Sequence, residues 1–154
     1  MRNRAAQLRR GVTLVELLIA VAIIAVIVSV SAPGLTTGLA TVRLSSASGD
    51  AATFLIRTMN KVETREEAAA VVISPANNAI ETFTAASGEK PANVLKMPQG
   101  ISIEGEEPKR IVMFPGGAIP RISIVLRNEK GARRSIEIDP ITAVPKIQRV
   151  EAAK

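Results

Sequence analysis

The chain has 154 residues, a formal net charge of +6 and no Cys, His, Trp or Tyr. It therefore lacks the residues of the usual zinc sites, of a Ser-His-Asp triad and of a cysteine nucleophile. Its three aromatic residues, all Phe, argue against a base-stacking surface for single-stranded nucleic acid. We expect a non-enzymatic protein without a cofactor or a metal ion.

The positive charge is concentrated at the N-terminus. Arg2, Arg4, Arg9 and Arg10 precede Gly11 with no acidic residue among them, whereas the rest of the chain has 16 basic and 14 acidic residues. The remainder of the chain is thus close to neutral, and the net charge alone does not indicate an acidic partner.

A 21-residue apolar segment, Val12–Ala32, follows the arginines and contains a single charged residue, Glu16. As a helix it would be about 30 Å long, enough to cross a bilayer core. The arginines predict a cytoplasmic N-terminus, with the C-terminal region across the membrane. Three alternatives fit so far: a cleaved secretory signal, a plain signal anchor and a prepilin-type signal. The run is long for a cleaved signal, and it leads straight into Pro33, which is a poor cleavage position.

Glu16 separates the two remaining alternatives. A carboxylate one turn inside an apolar span costs roughly 2.5–3.5 kcal/mol on insertion scales, so such a residue usually has a partner. A side chain this near the helix end could simply reach the membrane surface. A plain anchor, however, gives no reason for an acid at this position.

Residues 9–20, RRGVTLVELLIA, resemble the class III signal of type IV pilins and type II secretion pseudopilins. The resemblance implies that a membrane aspartyl prepilin peptidase cuts between Gly11 and Val12 and N-methylates Val12. Glu16 then becomes the fifth residue of the mature chain. In a filament its carboxylate would pair with the Val12 ammonium of a neighbouring subunit, which neutralises the charge and sets the axial register.

Pro33 would be the 22nd mature residue, a position at which many pilins of this family carry a proline. Proline removes a helical hydrogen bond and clashes with the preceding turn. The helix either ends here at the membrane exit or, as the resemblance implies, continues with a kink and can stretch within a filament. We therefore count Pro33 with Glu16 as an assembly residue.

The rest of the chain predicts a helix followed by strands. Residues 34–67 have apolar residues at helical spacing and predict the amphipathic half of one long stem helix. After Glu67 the pattern changes to short β-like runs, with residues 85–100 predicted as a loop. The stripe comprises Leu35, Leu39, Val42, Leu55, Met59 and Val62, and the predicted strands are Ala70–Ser74, Ala79–Thr84, Ile101–Glu104, Arg110–Phe114, Arg121–Arg127, Ala132–Ile138 and an edge strand Val144–Val150.

This order predicts an α+β fold. It resembles the pilin architecture, in which a long N-terminal helix packs on a C-terminal antiparallel β-sheet. The predicted segments are a leader peptide (1–11), a transmembrane and assembly helix (12–33), the amphipathic half of the stem (34–67) and a β-rich head (68–154). The turn at residues 114–117 and the strands after it resemble the GspH/FimT branch of minor pseudopilins. That branch usually ends with a Thr-Gly-basic motif, whereas this chain has Thr142-Ala143-Val144-Pro145.

Two charged clusters in the head suggest ligands. Arg127, Lys130, Arg133 and Arg134 suggest DNA binding, since phosphate contacts need only well-placed positive charge. We favour a solvated strand face over DNA binding, because arginine and lysine suit edge strands by discouraging aggregation. The acidic turn at residues 104–107 suggests calcium, but a calcium site needs six or more oxygen ligands from a shaped loop, so we predict a solvated turn.

The function we expect is that of a structural minor pseudopilin in a type II secretion system. The alternative is a minor type IV pilin that acts in pilus assembly or DNA uptake, and a third hypothesis is an anchored domain unrelated to filaments. The resemblance implies an inner-membrane protein with a periplasmic head. Its partners would be other pilins or pseudopilins, the prepilin peptidase and the inner-membrane assembly platform.

Overall fold

The computed structural model describes residues 12–150, with side chains described for residues 12–29 and 37–150. The chain divides into two compact units, Met1–Thr36 and Thr37–Lys154. The predicted leader peptide, including Gly11, lies outside the described residues.

A single long helix, α1, spans Leu14–Arg65. The helix continues through Pro33, so it does not end at that residue. It ends two residues before the predicted boundary, where Glu66 adopts a left-handed conformation with a φ of 52°. Among the residues described here, no helix is both long and apolar enough to cross a membrane.

Within the second unit, α1 buries one face. Leu44, Leu55 and Val62 are buried there together with small residues, whereas Leu39 and Val42 are 52% and 64% exposed. The predicted stripe is therefore right in its C-terminal half and wrong in its N-terminal half. The small buried residues are Ala47, Ser48, Ala51 and Ala52.

Within residues 12–150, eight strands form two four-stranded antiparallel sheets, with the orders β3-β2-β1-β5 and β4-β6-β7-β8. We call them sheet A and sheet B. A short 3-10 helix at Ala85–Ser87 follows β2. The strands are β1 Ala69–Ser74, β2 Ala79–Thr84, β3 Asn93–Lys96, β4 Ile101–Ile103, β5 Lys109–Met113, β6 Ile122–Asn128, β7 Arg133–Ile138 and β8 Pro145–Val150.

The inner faces of both sheets and the C-terminal part of α1 share one hydrophobic core. Alternation along the strands creates this core, because every second side chain of a strand lies on the same face. Ile122, Ile124 and Leu126 of β6 are buried in this way. Between α1 and sheet A, the hydroxyl groups of Thr58 and Thr82 lie 3.4 Å apart in the buried region.

The α+β arrangement is confirmed, and β8 is the predicted edge strand. The strands β1 and β2 form one antiparallel hairpin, and β6 and β7 form another. Two expectations were wrong. The strands form two sheets rather than one, with β4 in sheet B and β5 in sheet A. Residues 85–100 are not only loop, because Asn93–Lys96 forms β3 at the edge of sheet A. This strand lies between Pro91 and Pro98, and in the described part of the chain it pairs with β2 alone.

Candidate processing and assembly site

The described chain begins with two non-helical residues, Val12 and Thr13, and α1 starts at Leu14. The Thr13 side chain caps the helix: its Oγ1 accepts a hydrogen bond from the backbone N–H of Glu16 at 3.2 Å. The Thr13 carbonyl accepts the first helical hydrogen bond, from the Leu17 N–H, also at 3.2 Å. Thr13 is thus the N-cap residue, and it satisfies one of the amide donors that a helix start leaves unpaired.

Glu16 lies in the first turn of α1, with an exposed side chain. Its backbone N–H is bonded to Thr13, but within residues 12–150 its carboxylate has neither an ion pair nor a hydrogen bond. A negative charge is favoured at this end of a helix, because the unpaired N–H groups carry partial positive charge. The carboxylate is therefore well placed on its own helix and free to bind a cation from outside this part of the chain.

The surface after Glu16 is apolar on every side. The large apolar side chains from Val12 to Val28 are between 55% and 76% exposed. Exposed apolar area on this scale marks a surface that other protein or lipid covers. Ile19, Ile23, Val26 and Ile27, with Ala22, line a shallow groove along one side of this segment.

The structure describes some of the predicted processing and assembly residues and not others. Val12 and Glu16 lie at the same end of α1, four residues apart, whereas Gly11 lies outside the described residues. Pro33 is within α1, but its side chain is not among those described. Sequence reasoning missed Thr13, although the pattern Thr-x-x-Glu at residues 13–16 is a known signature of helix N-termini.

The four basic residues of the head do not form one cluster. Arg127 and Arg133 lie directly opposite each other on β6 and β7. Arg134 is the next residue on β7 and therefore points to the other face of sheet B, opposite Arg149 of β8. Both Arg133 and Arg134 belong to β7 rather than to the hairpin turn, whereas Lys130 lies in that turn.

The acidic turn contributes to this basic region. Arg133 Nη2 lies 3.2 Å from Glu104 Oε1 in a partly exposed ion pair. The Glu104 backbone N–H donates to the Val125 carbonyl at 2.8 Å, which holds the residue beside β6. Among residues 12–150, no three acidic side chains come together in a way that could hold a metal ion.

A third charged site, at the β7–β8 loop, has no counterpart in the sequence predictions. Asp139 Oδ1 accepts hydrogen bonds from the backbone N–H groups of Ile141 at 2.9 Å and Thr142 at 3.2 Å. Asp139 Oδ2 accepts a hydrogen bond from Lys146 Nζ at 3.1 Å. The Ile141 bond, followed by those of Lys146 and Thr142, lowers the pKa of Asp139 to about 2. These three hydrogen bonds hold the β7–β8 loop in place.

Comparison with known proteins finds a match at the N-terminus. The family model of the prokaryotic N-terminal methylation motif matches residues 7–32. The match includes Gly11, Val12, Thr13 and Glu16, and it supports the type IV prepilin and pseudopilin class. It points to a structural protein that is processed by a prepilin peptidase and assembles with other pilins. No curated protein and no solved structure matches the chain.

Proposed function

We propose that the chain is a structural pilin-like subunit that is cut after Gly11, methylated on Val12 and assembled into a filament through the first part of α1. One observation carries the proposal: within the methylation motif, a helix that is apolar on every side begins with an unpaired carboxylate in its first turn. More narrowly, we propose a minor pseudopilin of a type II secretion system, incorporated into a periplasmic pseudopilus that supports protein export.

Processing creates the partner that Glu16 lacks. Hydrolysis adds water across the Gly11–Val12 amide, which releases a Gly11 carboxylate and leaves an ammonium on Val12. The ammonium of one subunit then pairs with the Glu16 carboxylate of the next. In an apolar surrounding this pairing is strongly favoured over two isolated charges. Since a misaligned subunit would leave both charges unpaired, the pairing also fixes the axial position of each subunit.

The apolar segment has two environments in this proposal. Before assembly, residues 12–33 anchor the chain in the inner membrane, with the N-terminus in the cytoplasm and the head in the periplasm. The arginines before Gly11 support this orientation. After extraction by the assembly platform, the same side chains pack against other subunits. Pro33 would serve this packing as an assembly residue.

The first experiment is co-expression with a prepilin peptidase, followed by mass spectrometry of the N-terminus. We expect a product that starts at Val12 and carries the added mass of one CH2 unit. Gly11→Leu should block the cut, because its side chain occupies space that Gly leaves free in the peptidase cleft. Gly38→Leu is the matched control, since a Cβ at Gly38 meets no atom within 4 Å. A wild-type chain that stays uncut contradicts the proposal.

The second experiment separates insertion from assembly. Glu16→Gln keeps the size of the side chain but removes its charge, so it should leave membrane insertion and cleavage intact while incorporation into the filament falls. Glu66→Gln, an exposed change outside the motif, is the control. Filament incorporation is measured by shearing cells and quantifying the subunit in the sheared fraction. Equal incorporation of the two variants contradicts the role of Glu16.

The alternative function, a minor type IV pilin in DNA uptake, has its own support. Two pairs of arginines occupy directly opposite positions on neighbouring strands of sheet B. One pair is Arg127 with Arg133, and the other, on the opposite face of the sheet, is Arg134 with Arg149. Like charges directly opposite on neighbouring strands are destabilising. Glu104 is the single acid in the described chain that forms an ion pair with any of them. An anionic partner such as a DNA backbone would compensate the remaining charge.

Salt titration of duplex DNA binding by the detergent-solubilised chain tests this alternative. Arg134→Gln combined with Arg149→Gln should lower the affinity and make the dependence on salt shallower, since each lost phosphate contact reduces the slope. Glu104→Gln should raise the affinity by freeing Arg133. Lys61→Gln, an exposed change on α1, is the control for net charge. Absence of binding at low salt excludes the alternative and leaves the structural role intact.

A further inference from the structure

We propose that Thr13 is a positioning residue for processing: its hydroxyl group fixes the start of α1 and so keeps the Gly11–Val12 bond outside the helix. This inference rests on the proposed function. It goes beyond the methylation motif, because it gives one hydroxyl group a physical role: the group caps α1 so that the assembly helix begins after the cleavage position.

The hydrogen bonds support this assignment. Thr13 Oγ1 accepts the Glu16 N–H at 3.2 Å, and α1 begins at the following residue, Leu14. Val12 and Thr13 are both non-helical. The backbone of an N-cap residue is non-helical and typically extended, so the chain enters the helix from a non-helical residue. The Val12 N–H group belongs to the scissile amide bond, and Val12 itself lies outside the helix.

The sequence offers no other side chain that could cap the start of α1. Ser, Thr, Asp and Asn cap a helix with a side-chain oxygen, whereas Gly, which is also accepted at this position, has no such oxygen. Between Asn3 and Ser29, Thr13 is the one residue of these four types. Without its hydroxyl group, no neighbouring side chain could define where the helix starts.

The leader on the other side of the bond favours helix. Residues 5–10 read AAQLRR, and all of these residue types are strong helix formers. Two helix-favouring segments therefore flank Gly11-Val12-Thr13. Gly11 weakens a helix by about 1 kcal/mol relative to Ala, and Thr13 supplies the cap that stops propagation from the other side. A helical scissile bond would have its N–H and carbonyl groups engaged in helical hydrogen bonds, whereas an extended one presents them to the peptidase.

The test compares Thr13→Val with Thr13→Ser in the full chain, in detergent with purified prepilin peptidase. Val has the shape of Thr but lacks the hydroxyl group, so it removes the cap with little steric change. We expect kcat/KM for the cut to fall roughly fivefold, the factor that corresponds to a typical lost cap. The loss should lie mainly in KM, because fewer molecules present an extended bond. Ser, an equally good cap, should restore the rate.

NMR of the same variants, uncut, separates positioning from direct recognition of the hydroxyl group. In Thr13→Val the carbon chemical shifts of residues 9–13 should move toward helical values, whereas in Thr13→Ser they should not. Thr41→Val is the matched control: the Thr41 hydroxyl donates to the Thr37 carbonyl at 3.0 Å and caps nothing. This control should change neither the rate nor the shifts at residues 9–13.

Three results overturn the proposal. One is a Thr13→Val chain that is cut as fast as the wild type, and another is slow cutting with unchanged shifts at residues 9–13. The third is a failure of Ser to restore the rate. In each of these cases the wild-type chain is still cut after Gly11, so the proposed function stands. An uncut wild-type chain contradicts the proposed function itself and removes the basis of this inference as well.

Discussion

The side chain of Asn78 and the backbone of Ile103 connect the two sheets of the second unit. Asn78 Oδ1 accepts the Ile103 N–H at 2.9 Å, and its Nδ2 donates to the Ile101 carbonyl at 2.7 Å. Asn78 lies in the turn between β1 and β2 of sheet A, whereas both isoleucines belong to β4 of sheet B. The amide group thus pairs with β4 much as a neighbouring strand would. Asn78 also has a φ of 50°, a conformation that Asn tolerates better than most residues.

Asn78→Gly should lower the free energy of unfolding of the second unit by about 1–3 kcal/mol, because it removes the partner of a partly buried N–H and of a partly buried carbonyl of β4. Gly accepts the positive φ, so the loss reports the amide group rather than backbone strain. The measurement is a denaturant titration of the detergent-solubilised chain, followed by the NMR signals of strand amides. Asn77→Gly is the control. Asn77 is exposed, and its side-chain amide group forms no hydrogen bond within residues 12–150, although its backbone N–H donates to Ser74 Oγ. Equal losses in the two variants contradict the bridging role.

Asp139 predicts a specific acid sensitivity. Its pKa is lowered from the ordinary value of 3.8 to about 2 by the Ile141 N–H, then by Lys146 and the Thr142 N–H. A carboxyl group with a lowered folded-state pKa contributes stability that is fully present above the unfolded-state pKa and is lost as the pH falls through the folded-state value. The contribution should therefore disappear between about pH 4 and pH 2.

The comparison of wild type with Asp139→Asn isolates this effect from the titration of other carboxyl groups. Asn keeps an oxygen that accepts the two backbone N–H groups but has no charge to attract Lys146. The denaturation midpoint of the wild type should fall more steeply than that of the variant as the pH drops through this window. Glu137→Gln, an exposed change two residues earlier on β7, should keep the wild-type slope. Parallel slopes for wild type and Asp139→Asn would show that the loop hydrogen bonds do not depend on ionisation.

The parts of the fold that depend on neighbouring residues could be predicted from the sequence. The hairpin of β6 and β7 follows from the alternation of Ile122, Ile124 and Leu126 with polar residues and from the turn that begins at Asn128. β3 was missed because Asn93–Lys96 has no signal of its own and pairs only with β2. The division into two sheets was missed for a related reason. Which strands pair across a long connection depends on packing that no local pattern records.

In the candidate site, too, a local sequence pattern predicts some residues, whereas the arrangement of others depends on distant strands. Gly11, Val12 and Glu16 lie within six consecutive residues, so a local motif identifies them, and Thr13 could have been found from its spacing to Glu16. The basic residues of the head could not be grouped correctly. Adjacent residues on a strand point to opposite faces, and the alignment of Arg134 with Arg149 depends on the register between β7 and β8.

The burial of the apolar stripe on α1 predicts how substitutions in its two halves change stability. Leu55 is fully buried, whereas Leu39 is half exposed, although both lie on the predicted apolar stripe. Leu55→Ala should cost about 2–5 kcal/mol of unfolding free energy, because it removes buried methyl groups and leaves a cavity. Leu39→Ala should cost less than about 0.5 kcal/mol, as is usual for surface changes. A large loss for Leu39→Ala in the same denaturant titration would place that side chain in the core and restore the stripe as first predicted.

Ala143 has a strained backbone in the β7–β8 loop. Its φ is 59°, a left-handed conformation that costs a residue with a Cβ roughly 1–2 kcal/mol. The conformation is imposed by the loop, because the Ala143 N–H donates to the Asp139 carbonyl at 2.9 Å. Ala143→Gly should therefore raise the free energy of unfolding by about 0.5–1 kcal/mol, since relief of the strain exceeds the added entropy of the unfolded chain.

Ala118→Gly is the control for this gain. Ala118 is exposed and has no positive φ, so glycine brings only the entropy cost there and should lower the stability by about 0.4–1 kcal/mol. Opposite signs for the two substitutions, measured in the same titration, identify the left-handed backbone as the cause. A loss at both positions would show that Asp139 and Lys146 hold the loop so firmly that the Cβ of Ala143 adds no strain.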